Sequence, residues 1–404
     1  MNETTRYLQS ASEERPIEVA TLVNCLIIDA VRANASDIHI EPWESTIAVR
    51  VRLAGVLQEL VHLPLDLMDK LAGRIKVMAS LISYQTDLPQ EGHVAASPEF
   101  GGVELRVSFF PTVRGEKIVL RIFDPQNRSF NLADLGFEED TLQTFVRLLS
   151  RPNGLILLTG PTGSGKTTAI YAALTHLVNR HGPTISLSTV EDPVEFHLPM
   201  IGQAQIHPAK EFTYPRALRS LMRQDPQVIM IGEIRDPETA AIAVQAGLTG
   251  HLVISTIHSG STAGVFARLI NMDIEPFLLS SAVSGVLSLR LIRTTCPQCA
   301  EPCAPDAALQ KAVPAEVLEG ATLRRGAGCP HCLDTGYDGR TALTEMLVVD
   351  EILRDAILQK LPTRSLQQVA IQQGMHTLWQ NGLRRVLSGE TTLDEVMRVL
   401  AADI

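Results

Sequence analysis

The hydrophobic pattern divides the chain into two parts with different repeats. In the first part, apolar residues from Ile17 to Val31 recur at helical spacing after Pro16, and residues 47–53 alternate between apolar and polar. These periods predict a helix that begins near Pro16 and a strand. Similar patterns predict further strands over 35–42, 56–61, 103–109 and 116–123, and a helix over about 65–80. Together these elements indicate a small α+β domain over residues 16–123.

Polar segments flank this first domain. Residues 1–15 carry no apolar period and are predicted to be a disordered N-terminus. Residues 124–130 are polar and turn-rich, which is typical of an interdomain linker.

Strand-length apolar runs alternate with helix-forming segments after the linker. The runs cover residues 155–158, 184–190, 228–231 and 251–256. Such alternation predicts a mostly parallel sheet flanked by helices. We therefore assign residues 131–404 to a second domain, in which 294–345 form a cysteine-rich insert and 346–404 a helical tail.

Composition and charge narrow the class of protein. The chain has 404 residues, of which 45% are hydrophobic and only 4% aromatic, which is typical of an aliphatic α/β protein. No apolar run approaches the roughly eighteen residues of a spanning helix, and the N-terminus does not resemble a signal peptide. We therefore expect a cytoplasmic protein that docks on a membrane only peripherally. A net charge of −10 disfavours a broad nucleic-acid-binding surface.

A glycine-rich loop lies between the first of these apolar runs and a segment of helix formers. This order of strand, loop and helix is the context in which a P-loop binds phosphate. The lysine of such a loop contacts the β- and γ-phosphates, and the hydroxyl after it holds Mg²⁺. The sequence therefore predicts binding of ATP and Mg²⁺, with Thr167 as the magnesium ligand. The predicted nucleotide-binding residues are Gly160, Pro161, Thr162, Gly163, Ser164, Gly165, Lys166, Thr167 and Thr168.

Two acidic stretches follow predicted strands and are candidates for activating water. Glu191, Asp192 and Glu195 come after one strand, although they are also typical of a solvated loop. The run 228–231 is followed by Gly232 and Glu233, and this segment resembles a Walker B strand. Because Gly232 stands where that motif usually has Asp, Glu233 would act on the metal through water. A buried strand that ends in a capping glutamate is the alternative.

Other polar side chains near these strands are further candidates. His251 and His258 lie at the two ends of the short strand predicted within residues 250–258. A neutral imidazole there can sense the γ-phosphate or the attacking water, and ordinary surface or core histidines are the alternative. Four arginines either face a phosphate or are ordinary surface charges. They are Arg216, Arg219, Arg223 and Arg235.

Five of the six cysteines lie between Cys296 and Cys332, and four of them form two C-x₂-C pairs. Paired knuckles of this kind hold tetrahedral Zn²⁺ through four thiolates, and four protein ligands make the site structural. Cys303 and His331 are possible substitute ligands, but neither completes the spacing of the two C-x₂-C pairs as well. Free buried thiols or a redox C-x-x-C pair are the alternatives. The predicted ligands are Cys296, Cys299, Cys329 and Cys332.

Several long motifs in one fixed order resemble the secretion and pilus-assembly ATPases of bacterial type II secretion and type IV pili. The resemblance covers nearly everything from about residue 17 to the end. The matching stretches are 160–168, 191–195, 218–226, 231–240, 249–258, the four cysteines and, in the first domain, 35–42 and 115–117.

The resemblance implies a hexameric ring of subunits, each with a PAS-like domain followed by a RecA-like ATPase domain. By analogy Glu195 is the general base, Glu233 supports Mg²⁺ and the catalytic water, and His251 and His258 couple the nucleotide to the subunit interface. Two arginines of the first domain, Arg106 and Arg121, are expected to approach the phosphates. The implied function is a motor that powers pseudopilus or pilus assembly through an inner-membrane platform protein. The implied location is cytoplasmic, at the inner membrane through partners.

Two rival hypotheses stand beside this implied function, and departures from the family pattern bear on one of them. Asp87 and His93 stand where the family often has arginine, which reduces positive charge near the expected phosphate contacts. They encourage the hypothesis of a nucleotide-dependent scaffold without enzymatic activity. A nucleic-acid motor or conjugation ATPase on the same fold is the second rival, although the acidic balance and the cysteine insert disfavour it.

Overall fold

The computed structural model describes residues 3–11, 16–123 and 130–401. The chain divides into two compact units, Met1–Arg128 and Ser129–Ile404. The predicted linker 124–130 lies outside the described residues except for Phe130.

The first unit is a six-stranded antiparallel sheet with helices on one face. The strand order is β3-β2-β1-β6-β5-β4. Helices α2 and α3 bury their apolar faces against alternate residues of the strands, among them Ile38, Ile40 and Val49. The elements are α1 (Glu3–Gln9), α2 (Val19–Arg32), β1 (Asp37–Pro42), β2 (Ile47–Leu53), β3 (Val56–Leu63), α3 (Met68–Met78), β4 (Gln90–Val94), β5 (Glu104–Thr112) and β6 (Gly115–Phe123).

The N-terminal segment differs from the prediction. The prediction of disorder over 1–15 is wrong for residues 3–9, which form α1. The backbone amides of Glu3 and Thr4 donate to the carboxylate of Asp29 at 2.9 and 2.8 Å, so a side chain of α2 satisfies the first donors of α1. Residues 12–15 lie outside the described part of the chain. Helix α2 begins at Val19 rather than near Pro16.

The second unit is built on a seven-stranded sheet with the order β15-β12-β7-β11-β10-β8-β9. Neighbouring strands are parallel except β12 and β15, which are antiparallel. Its strands are β7 (Gly154–Thr159), β8 (Leu187–Glu191), β9 (Gly202–Gln205), β10 (Val228–Ile234), β11 (Leu252–Ile257), β12 (Val283–Thr295) and β15 (Tyr337–Val348). The helices that precede or connect them are α4 (Glu139–Leu149), α5 (Lys166–His181), α6 (Tyr214–Leu221), α7 (Pro237–Leu248), α8 (Gly264–Ile270) and α9 (Pro276–Ala282).

Both faces of this sheet are covered, which gives the unit separate apolar cores on its two sides. All six residues of β7 are buried, as expected for a central parallel strand. The parallel arrangement brings the carboxyl ends of β7, β11, β10 and β8 to one edge. The loops that follow these strands therefore lie close together.

The cysteine-rich excursion between β12 and β15 is shorter than predicted. It contains α10 (Ala307–Ala312), α11 (Ala315–Glu319) and a two-stranded sheet of β13 (Ala300–Pro302) and β14 (Arg324–Gly326). The predicted insert 294–345 is wrong at its C-terminal end, because residues from Tyr337 onward belong to β15. Ala342 and Leu343 of β15 are buried, so packing recruits them to the main sheet.

The predicted helical tail 346–404 is confirmed from Glu351 to Leu400, but its start is wrong, because residues 346–348 belong to β15. It consists of α12 (Glu351–Leu358), α13 (Thr363–Gln372), α14 (Leu378–Leu387) and α15 (Leu393–Leu400). A buried ion pair anchors α15 to the sheet, since the guanidinium of Arg293 on β12 donates to the Glu395 carboxylate at 2.7 and 3.0 Å. Within the described residues, no helix has the length and apolar character needed to cross a bilayer.

Candidate functional site

The glycine-rich loop connects the end of β7 to the start of α5. Gly160, Gly163 and Gly165 adopt φ values of 142°, 77° and 93°, which only glycine adopts readily. A Cβ atom at Gly160 would lie 2.4 Å from the carbonyl oxygen of Leu289. The predicted stretch 160–168 thus forms a tight loop that opens onto the N-terminus of a 16-residue helix. Such a terminus favours bound anions.

Lys166 is the first residue of α5, and its amine lies against the loop. Nζ donates to the carbonyl oxygens of Gly160 and Pro161 at 2.7 and 2.9 Å. Burial lowers the pKa of Lys166, and the Glu233 carboxylate opposes this effect. The Ser164 hydroxyl is buried and has no hydrogen-bond partner among the described residues. The loop therefore offers a cation and an unused donor to a phosphate group.

Glu233 and His258 meet at the same edge of the sheet. Glu233 lies near the end of β10, and His258 follows the last residue of β11. One carboxylate oxygen of Glu233 contacts Nε2 of His258 at 2.9 Å, and the other accepts from Nε of Arg235 at 2.7 Å. The Thr159 hydroxyl and the backbone of Ser259 exchange hydrogen bonds of 2.9 and 3.0 Å, which ties the end of β7 to the segment after His258.

The carboxylates that follow β8 have different surroundings. Glu191 is buried and accepts hydrogen bonds from the Tyr171 hydroxyl, from Thr189 Oγ1 at 2.5 Å and from Gln203 Nε2 at 3.0 Å. Glu195, by contrast, is exposed, and so is the neighbouring Asp192. Glu191 therefore organises the loop, whereas Glu195 is available to solvent and ligand.

The structure does not bring His251 to this group. His251 precedes β11, so it lies at the opposite edge of the sheet from the glycine-rich loop. Its Nδ1 atom contacts the carbonyl oxygen of Ala246 at 3.1 Å. The six residues of β11, Leu252–Ile257, separate it from His258, which corresponds to about 20 Å. Within one chain, His251 is too far from Lys166 to contact the same phosphate.

The four predicted arginines of the second unit also differ in their surroundings. Arg216 and Arg219 pair with exposed glutamates, and Arg223, which follows α6, donates to the backbone carbonyl of Arg219 in that helix. Of the four predicted arginines, Arg235 is the one that contacts a residue of the site, Glu233.

Arg106 and Arg121 of the first unit are direct neighbours across β5 and β6. The same row continues to His93 on β4 and to Asp37 on β1. Nε of Arg121 donates to Asp37 at 3.0 Å, and the guanidinium of Arg106 lies 4.4 Å from the centre of the Phe123 ring. Both arginines are exposed, so the sheet presents two adjacent guanidinium groups on one face.

Arg290 is a residue of the site that the sequence patterns did not reveal. It is buried on β12, its Nη1 atom donates to the Leu289 carbonyl at 2.9 Å, and that atom lies 3.1 Å from where a Cβ of Gly160 would be. Its charge also lowers the pKa of Lys166, after the larger effect of burial. A single charge inside the apolar run 283–292 is the signal by which it could have been found.

The four predicted metal ligands lie together. The sulfur atoms of Cys296, Cys299, Cys329 and Cys332 are all within 4.8 Å of one another. Backbone amides of Cys329 and Gly336 donate to the sulfur of Cys332 at 3.3 Å each. Cys303 is exposed and lies outside the cluster. Four thiols at this spacing fit the donor set of a tetrahedral zinc ion.

Comparison with known proteins supports one family. A family model described as "Type II/IV secretion system protein" matches residues 11–398. Type II secretion system protein E of Pseudomonas aeruginosa is 43% identical over 395 residues, which cover 98% of this chain and 78% of that protein. The type IV pilus assembly ATPase PilB of Myxococcus xanthus is 41% identical over 402 residues, covering 98% of this chain and 70% of that protein.

A solved structure is similar over almost the whole chain. The ATPase DotB of Legionella pneumophila matches with a TM-score of 0.69 at 19% identity, over 95% of this chain and 96% of that one. At this identity the likeness concerns the fold alone. It confirms the predicted α/β fold class.

Proposed function

The chain belongs to the family of type II/IV secretion system proteins, and we propose that it is a motor ATPase that powers assembly of a pseudopilus or pilus. The relatives named above act in type II secretion and in type IV pilus assembly. The observation that carries the proposal is the position of Lys166 and of the Glu233–His258 pair at one edge of the same parallel sheet. A phosphate cradle next to a metal-side carboxylate is what phosphoryl transfer to water requires.

ATP binds at the glycine-rich loop in this proposal. The residues 160–168 surround the phosphates, and the Lys166 amine exchanges its two carbonyl partners for phosphate oxygens. The Thr167 hydroxyl would hold Mg²⁺, and Glu233 would hold a water molecule of its shell. Mg²⁺, when bound, neutralises charge on the phosphates. The buried Ser164 hydroxyl supplies a further polar group beside the cradle.

Glu195 is the proposed general base. A new bond forms between the oxygen of a water molecule and the γ-phosphorus while the bond to the β–γ bridging oxygen breaks. Glu195 accepts the proton of that water, and its exposed position after β8 suits this role. His258 orients Glu233 through their 2.9 Å contact. Arg106 and Arg121 are proposed to bind phosphate oxygens, for which two adjacent exposed guanidiniums are well suited.

The remaining parts of the proposal concern assembly and location. The four clustered cysteines are proposed to hold one structural Zn²⁺. We propose a homohexamer that acts on an inner-membrane platform protein, at the cytoplasmic face of that membrane and held there by partners. His251, at the far edge of the sheet, is proposed to act at the interface between subunits. No nucleic-acid partner is expected for a chain with a net charge of −10.

Replacing Glu195 by Gln tests the proposed chemistry. The amide keeps the size of the side chain but cannot accept the proton, so we expect ATP binding to persist while hydrolysis falls by about a hundredfold or more. Binding is measured with a fluorescent ATP analogue and hydrolysis as phosphate release with Mg²⁺. Lys166→Ala is the companion variant and should lose binding as well. Full hydrolysis by Glu195→Gln would remove Glu195 from the role of base.

A further inference from the structure

One buried hydroxyl joins the phosphate-binding helix to the loop that carries Glu195. Tyr171 lies on α5, five residues after Lys166, and its side chain is fully buried. Its hydroxyl donates to the carboxylate of Glu191, which ends β8. The same oxygen accepts the backbone N–H of Glu195 at 3.3 Å. The phenol is therefore a direct link between the two elements that a hydrolytic site must hold in register.

The ring of Tyr171 contacts the same loop. The Phe196 ring, directly after Glu195, packs edge-on against Tyr171 with ring centres 6.4 Å apart at 87°. Phe130 completes the group, with its centre 5.3 Å from that of Tyr171 and 5.6 Å from that of Phe196. Edge-on aromatic pairs of this kind are attractive beyond the area that they bury. Glu195 is thus held at its own amide and through the next side chain.

Glu191 is a rigid anchor for the Tyr171 hydroxyl. Besides the Tyr171 hydroxyl, it accepts hydrogen bonds from Thr189 and Gln203. Gln203 Nε2 also donates to the carbonyl oxygen of Phe196 at 2.9 Å. Burial raises the pKa of Tyr171, and the hydrogen bond to Glu191 raises it further. The phenol therefore keeps its proton at neutral pH and remains a donor to Glu191.

We propose that Tyr171 is a positioning residue for hydrolysis, which sets the place of Glu195 relative to the phosphates held by Lys166 and Thr167. This inference rests on the proposed function, in which Glu195 is the base. Lys166 and Thr167 begin the helix on which Tyr171 lies just over one turn later. The distance between the bound phosphates and the Glu195 carboxylate therefore depends on the geometry of α5 and on the hydrogen bond from the Glu195 amide to the Tyr171 hydroxyl. A displacement of about 1 Å in such an arrangement costs about a hundredfold in rate.

A purely structural role through Glu191 is the competing explanation, and the chain offers a matched control for it. Tyr171→Phe removes one donor to Glu191 together with the acceptor for the Glu195 amide. Thr189→Val is nearly isosteric and also removes one donor to Glu191, yet no contact from Thr189 to Glu195 is involved. Comparing the two variants separates a weakened Glu191 network from a displaced Glu195.

The experiment measures kcat and KM for ATP hydrolysis by the 404-residue chain with Mg²⁺. The variants are Tyr171→Phe, Thr189→Val, Glu195→Gln and the double variant Tyr171→Phe/Glu195→Gln. We expect Tyr171→Phe to lower kcat by about tenfold or more with KM changed by less than about twofold, and Thr189→Val to have a clearly smaller effect. The double variant should be no slower than Glu195→Gln alone, because Tyr171 acts through Glu195. Amide exchange of residues 192–198 should accelerate in Tyr171→Phe and not in Thr189→Val.

Equal losses of kcat in Tyr171→Phe and Thr189→Val, or an unchanged kcat in Tyr171→Phe, would overturn the inference while leaving the proposed function intact. A fully active Glu195→Gln variant would instead refute the catalytic assignment, and the inference with it. A lower thermal midpoint and lost binding of the ATP analogue would identify a Tyr171→Phe protein that does not fold. Phe196→Leu then replaces it, since it removes the ring contacts with Tyr171 and Phe130 but leaves the Tyr171 hydroxyl in place. It should lower kcat without weakening nucleotide binding, and an unchanged kcat would overturn the inference.

Discussion

The three glutamates of the site differ in their surroundings rather than in their chemistry. Glu191 is enclosed and accepts three side-chain hydrogen bonds, which fixes it as part of the framework. Glu233 is mostly covered and lies between an imidazole and a guanidinium. Glu195 faces solvent. A carboxylate that must take up a proton from water has to be reachable, so exposure distinguishes Glu195 from its neighbours.

The contact between His258 and Glu233 leads to a prediction at this scale. Replacing His258 by Ala removes one of two partners from a carboxylate that is only 14% exposed. We expect kcat to fall by about tenfold or more, since Glu233 loses its orientation, and KM to change by less than about twofold because the phosphate loop is untouched. Steady-state hydrolysis with Mg²⁺ measures both quantities.

His331→Ala is the matched control for this prediction. His331 also contacts a carboxylate, Asp338 at 3.0 Å, and its exposed fraction is 44% against 51% for His258. It lies in the cysteine-rich excursion, so its loss should leave kcat unchanged. Equal effects of the two substitutions would show that the Glu233 contact has no special role.

At the scale of elements, the cysteine-rich excursion is built of short pieces, whose buried residues Leu309, Val313 and Leu323 pack in one apolar cluster with residues of the helical tail. Its two strands have three residues each, and its two helices have six and five. Elements this short are not independently stable, and a metal is one of the usual ways to hold them. The four sulfur atoms lie where residues from both ends of the excursion meet.

Removing two of these sulfur atoms should release the metal. We expect the intact protein to contain one zinc per chain and the double variant Cys329→Ser/Cys332→Ser to contain none, as measured by elemental analysis of the purified proteins. The excursion should then become sensitive to protease, because metal binding and local folding are coupled.

Cys303→Ser serves as the control for the zinc prediction. Cys303 is exposed and is not part of the four-sulfur cluster, so its replacement should leave the zinc content at one per chain. An intact protein without zinc, or a double variant that retains it, would contradict the tetrahedral site.

At the scale of the whole molecule, the chain consists of two compact units. The first carries adjacent exposed arginines, and the second carries the phosphate loop. His251 lies at the sheet edge remote from that loop. Candidate site residues at such different places are expected in a subunit that acts together with neighbouring subunits. The proposed hexamer would bring such groups into contact with other copies.

Mixing active and inactive chains tests whether neighbours cooperate. We expect a subunit of the proposed hexamer to hydrolyse ATP only next to an active neighbour, so an equal mixture of wild-type and Glu195→Gln protein, assembled together, should retain about a quarter of the wild-type activity. Independent subunits would retain about half. Activity is measured at constant total protein, and the control replaces the variant by an equal mass of an inert protein. Retention of half the activity in both mixtures would contradict cooperation between neighbours.

Much of the site was predictable from local pattern. The loop 160–168 is recognisable because its glycines, its lysine and the flanking strand and helix are contiguous in sequence. Glu233 and His258 were predictable as candidates because each lies within two residues of the end of a short apolar run. The paired cysteines were predictable because their spacing alone indicates a metal. In all of these cases the chemistry depends on residues that are close together along the chain.

What the sequence did not reveal depends on residues that are distant along it. Strands β9, β12 and β15 were not predicted, because β9 is short and polar, the apolar run of β12 does not distinguish strand from helix, and β15 pairs with β12 across the excursion. The opposite positions of His251 and His258 follow from the direction of β11 through the sheet. Packing between separate elements produces the hydrogen bond between Tyr171 and Glu195. It also places the Arg290 guanidinium beside Gly160. The sequence by itself determined which groups are present, whereas only the tertiary structure decided which of them meet, because side-chain contacts between elements are set by packing rather than by local period.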